Sequence, residues 1–181
     1  MFELKHSRIE GCYEIQPKIF TDSRGEFVKI FHEQEFIKNN LSISYREEYY
    51  SRSRRGVIRG MHFQVPPMDH HKLVYCVHGE VFDVVVDLRV GSPTYGVAEK
   101  FTLSASKGNY LYIKTGMAHG FCVVSDEAVL VYKVSSVYAA EYDAGVLWRS
   151  LDIDWPAESP VVSARDESFP ELSKLISPFT Y

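Results

Sequence analysis

Cysteine is scarce: Cys12, Cys76 and Cys122 are all there is in 181 residues. Three is an odd number, and their spacing is not that of a metal site, so a disulfide framework is not expected. They read as small hydrophobes in a reducing compartment. Positive charge is not in excess either. Twenty Lys and Arg against 24 Asp and Glu give a net charge of −4. Such a chain has no broad basic field, and nucleic acid is not an expected partner. No apolar run approaches the roughly 18 residues of a membrane span. The segment Met1-Phe2-Glu3-Leu4-Lys5-His6 lacks the apolar stretch of a signal peptide, so the expected location is the cytoplasm. Linkers, repeats and low-complexity segments are missing, and residues 1–181 are expected to form a single domain. Helical signals are few. One helix is expected over His32–Asn40, ending at Asn39-Asn40, and another over Pro170–Ile176 with proline in its first turn.

What the chain does have is aromatic and β-branched sequence. Aromatics reach 14%, with 12 Tyr and 11 Phe, which suits a β protein with a large internal cavity. Leu73 to Val77, a turn at Gly79, and Val81 to Leu88 read as two strands about a tight turn. Phe101 to Leu103, Tyr110 to Ile113, Gly120 to Val124 and Ala128 to Val134 follow at even spacing. Gly91-Ser92-Pro93 and Ser104-Ala105-Ser106-Lys107-Gly108 punctuate them. Many short strands with regular turns imply an all-β sandwich or barrel. Val84-Val85-Val86 is apolar on both faces of its strand, so that strand is expected deep in the structure. The basic run Arg52-Ser53-Arg54-Arg55 reads as a solvated hairpin loop.

Two stretches each set one histidine beside small residues: Arg59-Gly60-Met61-His62-Phe63-Gln64 and Gly116-Met117-Ala118-His119-Gly120-Phe121. Gly108, Lys114, Gly116 and His119 together resemble the second motif of the cupin superfamily, with lysine in place of its proline. The first cupin motif ends in a glutamate ligand seven residues before a turn glycine. Here that glycine is Gly79, and seven residues earlier stands Lys72. The paired His-x-His is absent, and Val65-Pro66-Pro67-Met68 occupies its place. An ammonium in a ligand position repels a divalent cation, by about 4 kcal/mol per unit charge at about 4 Å and an effective dielectric of about 20. No metal and no other cofactor is therefore expected. His70, His71 and His78 do not restore a site, since adjacent histidines on a strand point to opposite faces. They read as solvated loop residues.

Five blocks come in order along the chain: Asp22-Ser23-Arg24-Gly25, Gly56 to Phe63, Val81 to Arg89, Gly91 to Gly96, and Ala118-His119-Gly120-Phe121. Together they resemble the dTDP-4-dehydrorhamnose 3,5-epimerase family, a metal-free group of cupins, from about Phe20 to Asp166. The resemblance implies a cupin-type double-stranded β-helix, a jelly-roll barrel with short peripheral helices. It implies an isomerase acting on a nucleotide-diphosphate 4-keto-6-deoxy sugar for capsule, O-antigen or other surface polysaccharide synthesis. Protons on C3 and C5 are both alpha to the ketone, so each can leave if the enolate is stabilised. By resemblance His62 is the base, Asp166 its carboxylate partner and Tyr132 the proton donor on the opposite face. Lys72 would stabilise the enolate oxygen. His119, Tyr138, Asp143 and Arg165 match substrate-contacting positions, and Arg24 and Arg59 match phosphate contacts, which guanidinium suits. Arg24 lies in the segment that in the family reaches into the neighbouring subunit, so a homodimer with N-terminal strand exchange is implied.

Each residue has a plainer reading. His62 can be a core histidine, Tyr132 a barrel aromatic, Asp166 a helix N-terminal acid before Pro170, and Tyr138, like nearby Tyr142, surface filling. The chain also departs from the family. Phe27-Val28-Lys29 stands where Phe-Phe-Glu is usual, and Glu47-Glu48-Tyr49 where Gln-x-Asn is usual. A carboxylate at Glu47 can accept two N–H donors from guanine but only one from thymine. A GDP-linked sugar, such as a GDP-4-keto-6-deoxy-heptose, is accordingly the favoured expectation over a dTDP-linked hexose. A 3,4-ketoisomerase, a non-catalytic sugar-nucleotide binding protein and a metal-dependent cupin oxygenase are the alternatives.

Overall fold

The computed structural model describes residues 2–181. Strands dominate. A six-stranded sheet runs in the order β1 (Phe2–His6), β2 (Cys12–Pro17), β10 (Tyr110–Ile113), β7 (Lys72–His78), β12 (Glu127–Val134), β5 (Glu47–Arg54). A five-stranded sheet runs β13 (Asp143–Gly145), β6 (Ile58–Gln64), β11 (Met117–Val123), β8 (Glu80–Asp87), β9 (Ala98–Ser104). A separate hairpin joins β3 (Ile19–Asp22) to β4 (Gly25–Val28). Every strand pairing within these sheets is antiparallel. The architecture is the expected cupin-type jelly roll.

Alternation builds three apolar layers from these strands. Val81 and Val85 of β8 join Val74, Cys76, Leu130 and Tyr132 in one cluster. Val84 and Val86, on the other face, join Met61, Phe63, Ala118, Leu151 and Phe179 under Trp155, Leu172 and Leu175. The expectation that 84–86 lies deep therefore holds, because both faces of β8 are covered. The third layer, with Leu73, Tyr110 and Tyr112, lies under Phe36 of α1 (Glu33–Lys38). That helix is the one expected, and it ends at Asn40 with φ 56°, the left-handed stop that asparagine tolerates.

Three local readings need correction. The basic run is strand as far as Arg54, not loop, and its Ser53 is buried. Pro170–Ile176 forms only a 3-10 turn at Leu172–Lys174. Leu172 N–H is taken by Ser150 Oγ at 2.9 Å, and Leu172 and Leu175 pack on the second layer. So short a segment follows its packing rather than its helical propensity. His70 and His71 are loop residues as expected, but they are half-buried rather than solvated. His71 lies against Tyr112 and Tyr45.

Candidate active site

A cavity of about 370 Å³ opens between the two sheets. Its lining includes Arg59, His62, Phe63, Gln64, His119 and Phe121 from the five-stranded sheet, and Glu47, Tyr49, Ser51, Lys72, Tyr132 and Val134 from the six-stranded one. His70, Tyr138, Asp143 and Arg165 complete it.

Strand register explains how the histidines meet. His62 and His119 are cross-strand partners of β6 and β11, and Phe121 pairs with Arg59. Two steps along β11 therefore correspond to three along β6. The extra residue is a bulge, and it reverses the alternation of β6, so that Arg59 and His62 both line the cavity despite their odd spacing. Gly60 permits this: it sits at φ 140°, and a Cβ there would lie 2.6 Å from Gly120 Cα.

His62 Nε2 lies 2.9 Å from Asp166 Oδ1. Asp166 Oδ2 accepts the Gly60 N–H at 3.0 Å, and Ser163 caps α2 (Ala164–Glu167) by accepting the Asp166 N–H at 3.1 Å. Burial alone would raise the Asp166 pKa, but the bonds from His62, Gly60 and Ser163 outweigh it and hold it below the usual carboxylate value. The carboxylate is ionised, takes the Nε2–H, and leaves the lone pair on Nδ1. Burial pushes the His62 pKa down, against the pull of Asp166, so the imidazole is neutral near pH 7. Asp166 is thus both the acid of a short helix and the partner of His62.

Lys72, only 6% exposed, donates to the His62 carbonyl at 3.0 Å. Burial lowers its pKa to about 8, with Asp143 and Asp83 holding it up. Its ammonium is the charged group buried in this cavity. Tyr132 is buried, and desolvation pushes its pKa upward, so it stays a phenol. His119 is held by Asp83 at 2.9 and 3.0 Å. Burial raises the Asp83 pKa while His119 lowers it. Arg165 forms an ion pair with Asp143 and lies over the Phe169 ring, 5.2 Å from its centroid. Phe169 in turn meets the His62 ring edge-on at 5.8 Å.

The cavity gathers His62, Tyr132, Lys72, His119, Glu47, Tyr49, Arg59, Tyr138, Asp143 and Arg165, with Asp166 behind His62. It does not gather Arg24, Phe27 or Lys29. Arg24 pairs with Asp22 at 2.6 Å in the exposed β3–β4 hairpin. Phe27, beside Phe20, is 59% exposed there, and Lys29 follows β4 on the surface. Tyr142 does not line the cavity, whereas Tyr138 does. The sequence did not single out the polar lining residues Ser51, Gln64 and His70, nor Ser53, which lies behind Arg59. Ser53 accepts from Arg59 Nε at 2.9 Å. The alternation Glu47, Tyr49, Ser51, Ser53 was the available signal. His70 Nδ1 lies 3.2 Å from Gln64 Nε2 and 3.0 Å from Ser136 Oγ. Burial, then the Lys72 charge, lowers its pKa to about 3.

Chemically, the cavity offers a neutral imidazole oriented by a carboxylate, a protonated phenol and a buried cation. That set can remove and return protons at carbon beside a carbonyl. Comparison with known proteins agrees. The family model described as dTDP-4-dehydrorhamnose 3,5-epimerase matches residues 6–174. A dTDP-4-dehydrorhamnose 3,5-epimerase of Shigella flexneri is 43% identical over 154 residues, covering 83% of this chain and 85% of that protein. A dTDP-4-dehydrorhamnose 3-epimerase of Streptomyces niveus is 44% identical over 162 residues, covering 88% and 78%. The dTDP-6-deoxy-D-glucose-3,5-epimerase of Legionella pneumophila, solved with dTDP-4-keto-L-rhamnose, superposes with a TM-score of 0.95 at 33% identity, covering 100% and 99% of the two chains. The chain is therefore an isomerase-class epimerase and belongs to the dTDP-4-dehydrorhamnose 3,5-epimerase family.

Proposed function

We propose that the chain inverts C3, or C3 and C5, of a dTDP-linked 4-keto-6-deoxy sugar. The relatives' names all carry a dTDP sugar, and this replaces the GDP-linked heptose favoured from Glu47. There is a physical reason as well. Glu47 accepts the Tyr138 N–H through Oε2 at 2.6 Å, so its carboxylate is already engaged and is a poorer match for two guanine donors.

In this reading His62 Nδ1 takes the proton from carbon, and Asp166 holds the ring and balances the imidazolium. Lys72 stabilises the negative oxygen of the enolate, and Tyr132 returns a proton from the other face. Arg59 and Arg165 hold the diphosphate end, and His119, Asp143 and Tyr138 bound the sugar. Arg24, Phe27 and Lys29 serve a neighbouring copy's cavity, their hairpin reaching across a homodimer of single-domain chains in the cytoplasm. The observation that carries the reading is that the neutral imidazole and the protonated phenol come from opposite sheets to one cavity holding a buried ammonium.

Turnover in deuterated water tests it. Epimerisation labels C3, or C3 and C5, and leaves the ketone at C4. A ketone moved to C3 would make the protein a ketoisomerase, and binding without exchange would make it a carrier.

The pH profile follows from the same groups. His62 works unprotonated and its pKa lies below the ordinary imidazole value, so activity falls with acid only below about pH 6.5. Lys72 works protonated, so activity falls again as pH rises through about 8. A bell-shaped kcat/KM with those limbs is expected, and an alkaline limb that Lys72→Arg does not displace upward would refute the assignment of Lys72.

A further inference from the structure

One edge strand grips the cavity groups in sequence. Alternation along β5 turns Glu47, Tyr49, Ser51 and Ser53 to the same side. The outer two hold Tyr138 and Arg59. The middle two both hold Tyr132. Tyr49 is its cross-strand partner, and the two rings stack at 4.9 Å with 17° between planes. Ser51 Oγ lies 3.4 Å from the phenol oxygen. From the facing sheet, His119 meets the same ring near-perpendicular at 6.1 Å, and His119 is itself locked by Asp83.

We infer that Tyr49 is a positioning residue, whose stacked ring, with the Ser51 hydroxyl, fixes the angle at which the Tyr132 phenol delivers its proton. The inference rests on the functional reading above and adds a role that the reading does not contain. A phenol on a long side chain swings about two torsions. Proton transfer needs a heavy-atom approach of about 2.6–3.2 Å, and a misplacement of about 1 Å costs on the order of 10²-fold. The proton balance is closed. His62 takes a proton from carbon, and the bonding pair enters the enolate. The pair then returns to that carbon as Tyr132 gives its proton from the opposite face. The resulting imidazolium and phenolate are reset by one proton exchanged through solvent.

If the phenol is misplaced, His62 can only return a proton to the face it came from, which is exchange without inversion. The experiment therefore measures deuterium uptake and inversion separately, on a dTDP-linked 4-keto-6-deoxy sugar in deuterated water. Tyr49→Ala is expected to lower inversion about 30- to 100-fold, with exchange and KM each within about threefold. Tyr49→Phe keeps the flat ring and is expected to keep both rates, which separates stacking from any contact made by the Tyr49 hydroxyl. Should the alanine variant fail to fold, Tyr49→Leu fills the space without a flat face and is expected to show the same split. Unchanged inversion in these variants would overturn the inference, and so would exchange and inversion falling together. A wild-type chain that neither exchanges nor inverts would overturn the functional reading itself, and this role with it.

Discussion

Replacing His62 by asparagine is expected to lower turnover by about 10³-fold, within the range of 10²- to 10⁴-fold typical of a general base. Both the exchange of the substrate proton with solvent and its inversion should fall, because an asparagine amide has no basic lone pair to take the proton. Asparagine is the informative choice. Its amide can still donate to Asp166, so the buried carboxylate keeps a partner beside the Gly60 N–H. His62→Ala would leave part of that carboxylate unpaired, and any loss would mix chemistry with folding. Substrate affinity should change only a few-fold in the asparagine variant, since the arginines lining the cavity are untouched. Deuterium uptake into substrate, followed by mass spectrometry, is the direct measurement. Uptake at the wild-type rate would show that His62 is not the base.

Lys72→Met is expected to have the second-largest effect, and in two directions at once. Loss of the charge opposite the developing enolate should lower kcat by about 10²- to 10³-fold. Stability should rise. The folded-state pKa of about 8 lies below the ordinary 10.5, and each unit is worth about 1.4 kcal/mol, so keeping the buried ammonium charged costs about 3 kcal/mol. Methionine also forfeits the bond to the His62 carbonyl, a loss of about 1 kcal/mol. A net gain of about 2 kcal/mol near neutral pH remains. The sign with pH is fixed by linkage. Between pH 8 and pH 10.5 the unfolded chain holds the lysine proton and the folded one has released it. The cost is therefore fully present below about pH 8 and disappears as pH rises toward 10.5. Denaturant unfolding at pH 7 and pH 10 should show the methionine variant ahead at the first and the gap closed at the second. A methionine variant less stable than wild type at pH 7 would mean that the ammonium contributes to the fold and is not merely tolerated by it.

Such a trade between stability and activity is a mark of a functional group. Three carboxylates around the cavity are paired: Asp166 with His62, Asp83 with His119, Asp143 with Arg165. Lys72 has a carbonyl instead of a carboxylate in direct contact, and that leaves its charge for something entering the cavity.

Much of this was legible along the chain. The alternation of β8 and the turn at Gly79 placed two central strands, and the blocks around His62 and His119 carried the family resemblance. The side-chain partners of His62, Tyr132 and Asp166 were seen only in the structure. The basic run misled because its exposed arginines hid a period of two, in which Ser51 and Ser53 face inward. Pro170–Ile176 misled because a helical pattern was satisfied by two leucines packing on the sheet.

By itself, then, the chain determined the central strands about Gly79, the deep burial of Val84-Val85-Val86, and what chemical groups are available. These follow from local rules, the two-residue period of a strand and the conformations open to glycine and proline. The family resemblance named Asp166 as the partner of a histidine 104 residues away, but only the tertiary structure decided that a bulge at Gly60 brings Arg59 into the cavity with His62 and that Tyr49 covers Tyr132. Contacts between distant segments depend on register and on a single inserted residue, and a one-residue shift turns every side chain of a strand to the other face. No local pattern records that.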